Sequence, residues 1–186
     1  MVTAAFTRLS YLIRLVETSD APGVYALERA CFPDPYPSVL LYDLIKSQGT
    51  RFFVAVDSGA IIGYAVASLK GIDGHVISLG VDPRRRRRGV GTDLMSAVEM
   101  ELAQQGAERI FFEVRKGNAG AILFYGRRGY RAVAETRHYY IDGEDALVLE
   151  RSVESSADPD YMEEPDQTNW RVQSQRASRR GCQDVQ

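Results

Sequence analysis

One stretch of the sequence restricts the possible folds more than any other. Residues 75–81 (HVISLGV) have the composition of a buried strand, and a run of arginines follows at 84–88. After Gly89, residues 91–105 show the apolar spacing of an amphipathic helix, and residues 109–114 (RIFFEV) predict another strand. Strand, helix and strand in this order predict parallel neighbours joined by a crossover, so we expect an α/β sheet.

The remaining segments predict strands of both directions and further helices. Residues 51–56 and 60–69 flank the turn sequence Asp-Ser-Gly and predict an antiparallel hairpin. Three more strands are predicted at 11–16, 130–135 and 146–151, and three more helices at 19–32, 37–45 and 118–128. The sequence therefore predicts an α/β sheet with antiparallel parts and at least one crossover between neighbouring strands.

Length and composition are those of one globular domain with a tail. The chain has 186 residues, is 45% hydrophobic and carries a net charge of −2, so its whole surface is not expected to attract nucleic acid or anionic lipid. Residues 152–186 mix acidic residues and arginines with Ser, Gln and Pro and lack apolar periodicity. We therefore predict a folded domain at 1–151 and a disordered C-terminal tail at 152–186.

Cysteine usage and the absence of targeting patterns indicate a cytoplasmic protein. Cys31 and Cys182 form no disulfide framework and are expected to be reduced thiols. The N-terminal residues show no signal-peptide pattern, and no apolar run is long enough to span a membrane.

The arginine run has the surroundings of an anion site. Gly89 and Gly91 let the backbone approach a ligand, and the first turn of the following helix offers unpaired N–H groups. Together with the helix dipole and the guanidinium groups, these donors suit a pyrophosphate. The pattern is neither a Walker A loop nor a dinucleotide-binding fingerprint. A solvated charged turn is the alternative.

Several segments together resemble the GNAT acetyltransferases. The family's acetyl-CoA signature, Arg/Gln-x-x-Gly-x-Gly/Ala, matches residues 86–91. Further likeness to RimI and arrest-defective-type N-terminal acetyltransferases, including the archaeal ones, lies at residues 32–37, 74–81, 112–130 and 138–151. The resemblance implies an α/β GNAT fold, in which a mixed, mostly antiparallel sheet is flanked by helices. It also implies acetyl-CoA as cosubstrate and acetylation of protein N-termini beginning with Ser, Ala, Thr or Met, including those of ribosomal proteins.

The resemblance also implies which residues contact coenzyme A. The loop 87–92 takes the pyrophosphate, and the strand edge at Leu79, Gly80 and Val81 lies beside the pantetheine arm. Gly80 has a second interpretation as a plain bulge glycine. The full implied set is Leu79, Gly80, Val81, Arg86, Arg87, Arg88, Gly89, Val90, Gly91, Thr92, Asn118, Tyr125 and Arg127. Arg84 and Arg85 have no counterpart and are expected to face solvent or the adenosine phosphate.

Three residues are candidates for acid–base chemistry. Glu113 interrupts the apolar strand IFFEV, where a charge is costly unless it is paired or hydrated. The resemblance places His75 beside it and implies that the pair removes protons from the amine through water. Tyr125 matches the tyrosine that protonates the leaving thiolate, although a helical tyrosine is more often a core residue. No metal is required; His75 and Glu113 are the only candidate ligands, and two ligands make a poor site.

The resemblance assigns two segments to the acceptor. Phe32, Asp34 and Tyr36 lie in the loop FPDPYP, and Tyr139 and Tyr140 lie near the end of the domain. The carboxylate of Asp34 is implied to lie close to the incoming N-terminus. Its alternative role is that of a turn former between two prolines.

Other functions remain open at the level of sequence. The same fold and cosubstrate could serve a small-molecule amine, such as a polyamine or an antibiotic, or a lysine side chain. A nucleic-acid-binding module using residues 84–88 is less favoured, because no stacking aromatic or further basic residue lies nearby. Neither a membrane partner nor ribosome association is indicated by any feature of the sequence.

Overall fold

One seven-stranded sheet lies at the centre of the described residues. In the computed structural model, residues 11–153 are described, so the predicted tail lies almost wholly outside the described residues and the domain boundary stays a prediction. The seven strands are β1 (Leu12–Leu15), β2 (Thr50–Asp57), β3 (Ala60–Lys70), β4 (Asp73–Val81), β5 (Arg109–Arg115), β6 (Arg131–Thr136) and β7 (Ala146–Ser152). Their order across the sheet is β1-β2-β3-β4-β5-β7-β6.

One parallel pair interrupts an otherwise antiparallel sheet. β4 and β5 run in the same direction, whereas the other five neighbouring pairs are antiparallel. The helix between β4 and β5 makes the crossover that a parallel connection requires. The predicted mixed, mostly antiparallel α/β sheet is confirmed.

Helices cover both faces of the sheet. They are α1 (Ala21–Cys31), α2 (Ser38–Lys46), α3 (Val90–Gln104) and α4 (Ala119–Gly126). On one face, α1 and α2 pack over a core that includes Val24, Leu27 and Tyr64. On the other face, α3 and α4 pack over the larger core, which includes Leu94 and Val98. We call these the α1 face and the α3 face.

Local signals in the sequence place the ends of these elements. The hairpin turn uses Ser58 and Gly59, both at positive φ (50° and 81°), as a tight two-residue hairpin requires. Gly106 follows α3 at φ 90°, and Asn118 caps α4 by accepting the N–H of Ala121 at 3.0 Å. Among residues 11–153, no helix is both long and apolar enough to cross a membrane.

Candidate active site

The sheet opens where β4 and β5 part. Their parallel ladder has only three residue pairs and ends at His75 and Phe111. Within the described chain, residues 76–81 of β4 then pair with β3 alone, and residues 112–115 of β5 pair with β7 alone. The strands separate toward their carboxyl ends, which leaves backbone polar groups of β4 along one edge of a cleft. The predicted coenzyme contacts Leu79, Gly80 and Val81 lie on this edge.

A β-bulge sets the direction of His75. The β3–β4 register shifts between Ser78 and Val76, which leaves Ile77 as an extra residue in β4. Side chains alternate along a strand, so regular pairing would turn Val76 to the face of Ser78 and His75 to the opposite face. The bulge exchanges them: Val76 is fully buried in the α3-face core, and His75 lies on the α1 face with Ser78.

His75 and Glu113 form a hydrogen-bonded pair at the root of the cleft. Their Nε2 and Oε2 atoms are 3.0 Å apart, and Glu113 is only 3% exposed. Phe112 and Val114 lie in the α3-face core, so alternation puts Glu113 on the α1 face with His75. The His75 ring also stacks on Phe111, with centroids 4.8 Å apart. The structure therefore brings the two predicted proton acceptors together, and their catalytic role stays a prediction.

Packed aromatic rings explain Gly80. A Cβ atom at this position would lie 2.8 Å from Cε1 of Tyr64 and 3.4 Å from Cε2 of Phe32. The bulge lies at Ile77, so the interpretation of Gly80 as a plain bulge glycine is wrong. The glycine makes room for the protein's own side chains on the α1 face, and the backbone of Gly80 still lies on the cleft edge.

Backbone conformation explains Gly89. This residue is the N-cap of α3 and has φ 88°, in the left-handed region that glycine adopts freely. The nearest atom to a Cβ placed there is Oη of Tyr11, 3.7 Å away, so space is not the limitation. Arg87 is also left-handed, at φ 62°. The loop thus ends at the first turn of a 15-residue helix, whose early N–H groups lack intrahelical acceptors.

Three of the five arginines are held by the protein itself. Arg84 pairs with Asp82 at 2.9 Å and is highly exposed, and Arg86 Nε donates to the carbonyl of Val81 at 3.1 Å. Arg85 pairs at 2.9 Å with Asp57. Arg85 is thus held by an acidic partner that is distant in sequence, on the β2–β3 hairpin, and its expected position toward solvent or the adenosine phosphate stays a prediction.

The other two arginines are exposed beside the start of α3. Among the described residues, Arg87 and Arg88 have no ion pair with a carboxylate. They are the cations that this loop can offer to an anion at the helix N-terminus. Thr92 is also exposed, whereas Val90 and Gly91 are buried against the core.

Tyr125 belongs to the core of the α3 face. It is 1% exposed, and its ring centroid lies 4.1 Å from that of Phe112 on β5. It therefore packs beside the cleft, on the face opposite to His75 and Glu113. Arg127 is exposed just after α4. The proposed contacts of Tyr125, Asn118 and Arg127 with coenzyme A stay predictions.

The first predicted acceptor segment is the loop between α1 and α2. Phe32 and Tyr36 are each 7% exposed and pack in the α1-face core, whereas Asp34 is half-buried. Phe32 reaches Gly80 on β4, which places this loop beside the cleft edge. Among residues 11–153, the side chain of Asp34 makes no hydrogen bond or ion pair, so nothing described supports its role as a side-chain turn former.

The second acceptor segment is fixed to the end of β5. Tyr139 and Tyr140 lie in the loop between β6 and β7, and their rings meet edge-on at 5.1 Å. The Arg115 guanidinium lies 3.9 Å from the ring centroid of Tyr140. Arg115 also pairs with Glu144 at 2.7 Å. By alternation Arg115 shares a face with Glu113, so both acceptor segments lie on the α1 face at the open end of the cleft.

The thiol of Cys31 is buried, and no metal-binding cluster occurs among the described residues. The Cys31 thiol donates to the carbonyl of Val81 at 3.3 Å, and burial raises its pKa to about 11. It stays protonated near neutral pH and is a poor nucleophile. Residues 11–153 contain no group of three or more His, Cys, Asp or Glu side chains that could hold a metal ion.

Glu28 is a buried residue of this region that the sequence pattern did not single out. It lies on α1 and is 2% exposed. The apolar spacing of Val24, Leu27 and Cys31 predicts the buried face of this helix but does not indicate that Glu28 is buried with it. Its carboxylate accepts the backbone N–H of Tyr36 at 2.8 Å. The sequence could have indicated this burial, because Glu28 directly follows the buried Leu27. Its hydrogen-bond partners, however, are brought to it only by the folded structure.

Comparison with known proteins gives consistent matches. Residues 21–130 match the sequence pattern of the acetyltransferase (GNAT) family. An N-alpha-acetyltransferase of Sulfurisphaera tokodaii is 33% identical to this chain over 152 residues, which cover 75% of this chain and 91% of the relative.

Solved structures give the same picture. The ribosomal-protein-S18-alanine N-acetyltransferase from Escherichia coli superposes with a TM-score of 0.74 at 25% identity, covering 82% of this chain and 99% of that protein. Ard1 from Thermoplasma volcanium superposes with a TM-score of 0.74 at 29% identity, covering 79% of this chain and 100% of that protein. Both share the fold described above.

Proposed function

The chain belongs to the acetyltransferase (GNAT) family, and from this membership we infer that it transfers the acetyl group of acetyl-CoA to the α-amino group of protein N-termini. Of the relatives named above, one is named an N-alpha-acetyltransferase and another a ribosomal-protein-S18-alanine N-acetyltransferase. One observation carries the proposal: a buried carboxylate, Glu113, meets His75 where β4 and β5 separate. We place the reaction in the cytoplasm, on acceptors beginning with Ser, Ala, Thr or Met.

The cleft and the arginine loop fit coenzyme A. Acetyl-CoA supplies an acetyl group activated as a thioester. The left-handed Gly89, the free N–H groups at the start of α3, and exposed Arg87 and Arg88 make a site for its pyrophosphate. On its cleft side, β4 has no partner strand at residues 79–81 within the described part of the chain. Backbone N–H groups on this side are proposed to donate to the thioester carbonyl, and one such donor can contribute roughly 3 kcal/mol.

Glu113 and His75 are proposed to take the proton from the attacking amine. An α-amino group has a pKa near 8, so a substantial part is protonated at neutral pH and must lose a proton before it attacks. Glu113 is ordered by its hydrogen bond to His75, and His75 is the more exposed of the two. The pair can therefore pass a proton toward solvent through water.

Tyr125 is proposed to return a proton to the leaving thiolate. It lies on the α3 face, whereas the proton-accepting pair lies on the α1 face. The acid and the base would thus approach the reacting group from opposite sides of the gap between β4 and β5.

The test of the proposal compares three kinds of amine. Peptides beginning with Ser, Ala, Thr and Met should be acetylated, and the same peptides with blocked N-termini and an internal lysine should not be. Spermine serves as the small-amine control. Mass spectrometry locates the acetyl group, and kcat/KM ranks the acceptors. A higher kcat/KM for spermine or for the blocked lysine peptide would contradict the proposal.

The acceptor loop yields a prediction about the first residue. Asp34 has no described partner, so its carboxylate is available to the incoming ammonium group. Asp34→Ala is expected to change the ratio of kcat/KM between Ser- and Met-starting peptides by about tenfold, because discrimination is a difference in transition-state binding. Competition between the two peptides in one assay measures the ratio. If both rates fall equally, Asp34 only shapes the turn.

A further inference from the structure

A buried polar chain connects the acceptor loop with the cleft strand. Glu28 accepts the N–H of Tyr36, at 2.8 Å, and also the hydroxyl of Tyr64. The Tyr64 hydroxyl in turn lies 2.9 Å from Oγ of Ser78 on β4. The three side chains of this polar chain, those of Glu28, Tyr64 and Ser78, are each 2% exposed or less. One carboxylate thus links α1, the loop before α2, and β4.

Packing alone does not account for a carboxylate at this position. Glu28 lies among apolar residues of the α1-face core, where a leucine would fill similar space without a desolvation cost. Burial raises the pKa of Glu28, while the hydrogen bonds from Tyr64 and Tyr36 act in the opposite direction. The buried carboxylate therefore carries a desolvation cost, and its two hydrogen-bond donors, the N–H of Tyr36 and the hydroxyl of Tyr64, show which parts of the structure it holds together.

The two ends of this polar chain are Tyr36, in the loop of Asp34, and Ser78, on the strand of His75. Tyr36 ends the segment that carries Asp34. Ser78 borders the bulge at Ile77, which turns His75 to the α1 face. Glu28 therefore ties the end of the Asp34 loop to the strand that bears His75 through Tyr64 and Ser78.

We propose that Glu28 is a positioning residue for the acceptor, because it joins the loop of Asp34 and Tyr36 to β4 through Tyr64 and Ser78. This inference rests on the proposed function, since it assigns the loop to the incoming N-terminus. Reach matters more than charge in this role. A glutamine keeps the reach, accepts the Tyr36 N–H and can donate to the Tyr64 oxygen, whereas an aspartate keeps the charge and is one methylene too short.

The experiment compares Glu28→Asp with Glu28→Gln. Glu28→Asp is expected to raise the KM for a Ser-starting peptide about tenfold, the change that follows when a hydrogen bond to a charged group is lost. Glu28→Gln should stay within about threefold of the unchanged chain, and the KM for acetyl-CoA should not move in either variant. Glu99→Gln is the matched control, because Glu99 is also buried but pairs with Arg128 on the α3 face.

A second measurement does not depend on activity. Hydrogen exchange at the Tyr36 amide should accelerate in Glu28→Asp and stay slow in Glu28→Gln. Equal peptide KM values in the two variants, a larger loss in Glu28→Gln, or a parallel rise in the KM for acetyl-CoA would each overturn the proposal. If the unchanged chain acetylates no peptide, the proposed function fails, while the exchange rates still show whether Glu28 fixes the loop.

Discussion

A Glu113→Gln variant is expected to acetylate a peptide N-terminus about 100-fold more slowly than the unchanged chain, with the affinity for acetyl-CoA nearly unaltered. Glutamine keeps the shape of the side chain and a hydrogen bond to His75 but cannot accept a proton, and a positioned base contributes roughly 100- to 10,000-fold. His75→Ala should cause a smaller loss, because it removes the partner and leaves the carboxylate.

The loss should shrink as the pH rises. Above pH 8 most of the α-amino group is already neutral, so less depends on a protein base. The ratio of kcat between the unchanged chain and Glu113→Gln, measured from pH 7 to 9, should therefore fall. Glu99→Gln provides the control for replacing a buried carboxylate outside the cleft. Normal turnover at neutral pH in a folded variant lacking both Glu113 and His75 would exclude the pair as the base.

Replacing Gly89 with valine should weaken acetyl-CoA binding by about tenfold or more. The φ of 88° is strained for a β-branched residue, at a cost of about 1–3 kcal/mol, and 1.4 kcal/mol corresponds to tenfold. The loop is expected to relieve this strain by leaving the conformation that exposes the N–H groups of α3. Isothermal titration calorimetry with acetyl-CoA measures the effect.

Gly89→Asn is the matched control for this prediction. Asparagine enters the left-handed region more readily than valine, and the nearest protein atom leaves room for either Cβ. The asparagine variant should therefore bind acetyl-CoA more tightly than the valine variant. Equal affinities, with both proteins folded by circular dichroism, would show that the left-handed conformation at Gly89 is not needed for binding.

The elements of this fold follow from local patterns in the sequence. The stripe Leu94, Val98 and Leu102 predicts the buried side of α3, and all three side chains are fully buried. The cap at Asn118 and the left-handed glycine after α3 depend on neighbouring residues only, so they too could be predicted. The proximity of His75 and Glu113 came from resemblance to a family, since these residues are 38 positions apart.

The remaining features of the site depend on register and on distant partners. A bulge at Ile77 decides which face His75 occupies, and no local pattern distinguishes a bulged strand from a regular one. Asp57 pairs with Arg85, and Glu28 holds Tyr36, only because the finished fold brings their elements together. Such contacts are set by tertiary structure, which single-sequence patterns do not encode directly.

The short ladder between β4 and β5 has a consequence for the stability of the folded protein. It divides the sheet into two hydrogen-bonded halves, β1–β4 and β5–β7, which three residue pairs join. Coenzyme bound between the strands in the proposed site would touch both halves and act as a joint between them. A ligand present at 100 times its Kd stabilises the native state by about 2.7 kcal/mol. The concentration of acetyl-CoA would then affect the stability of the folded enzyme as well as its rate.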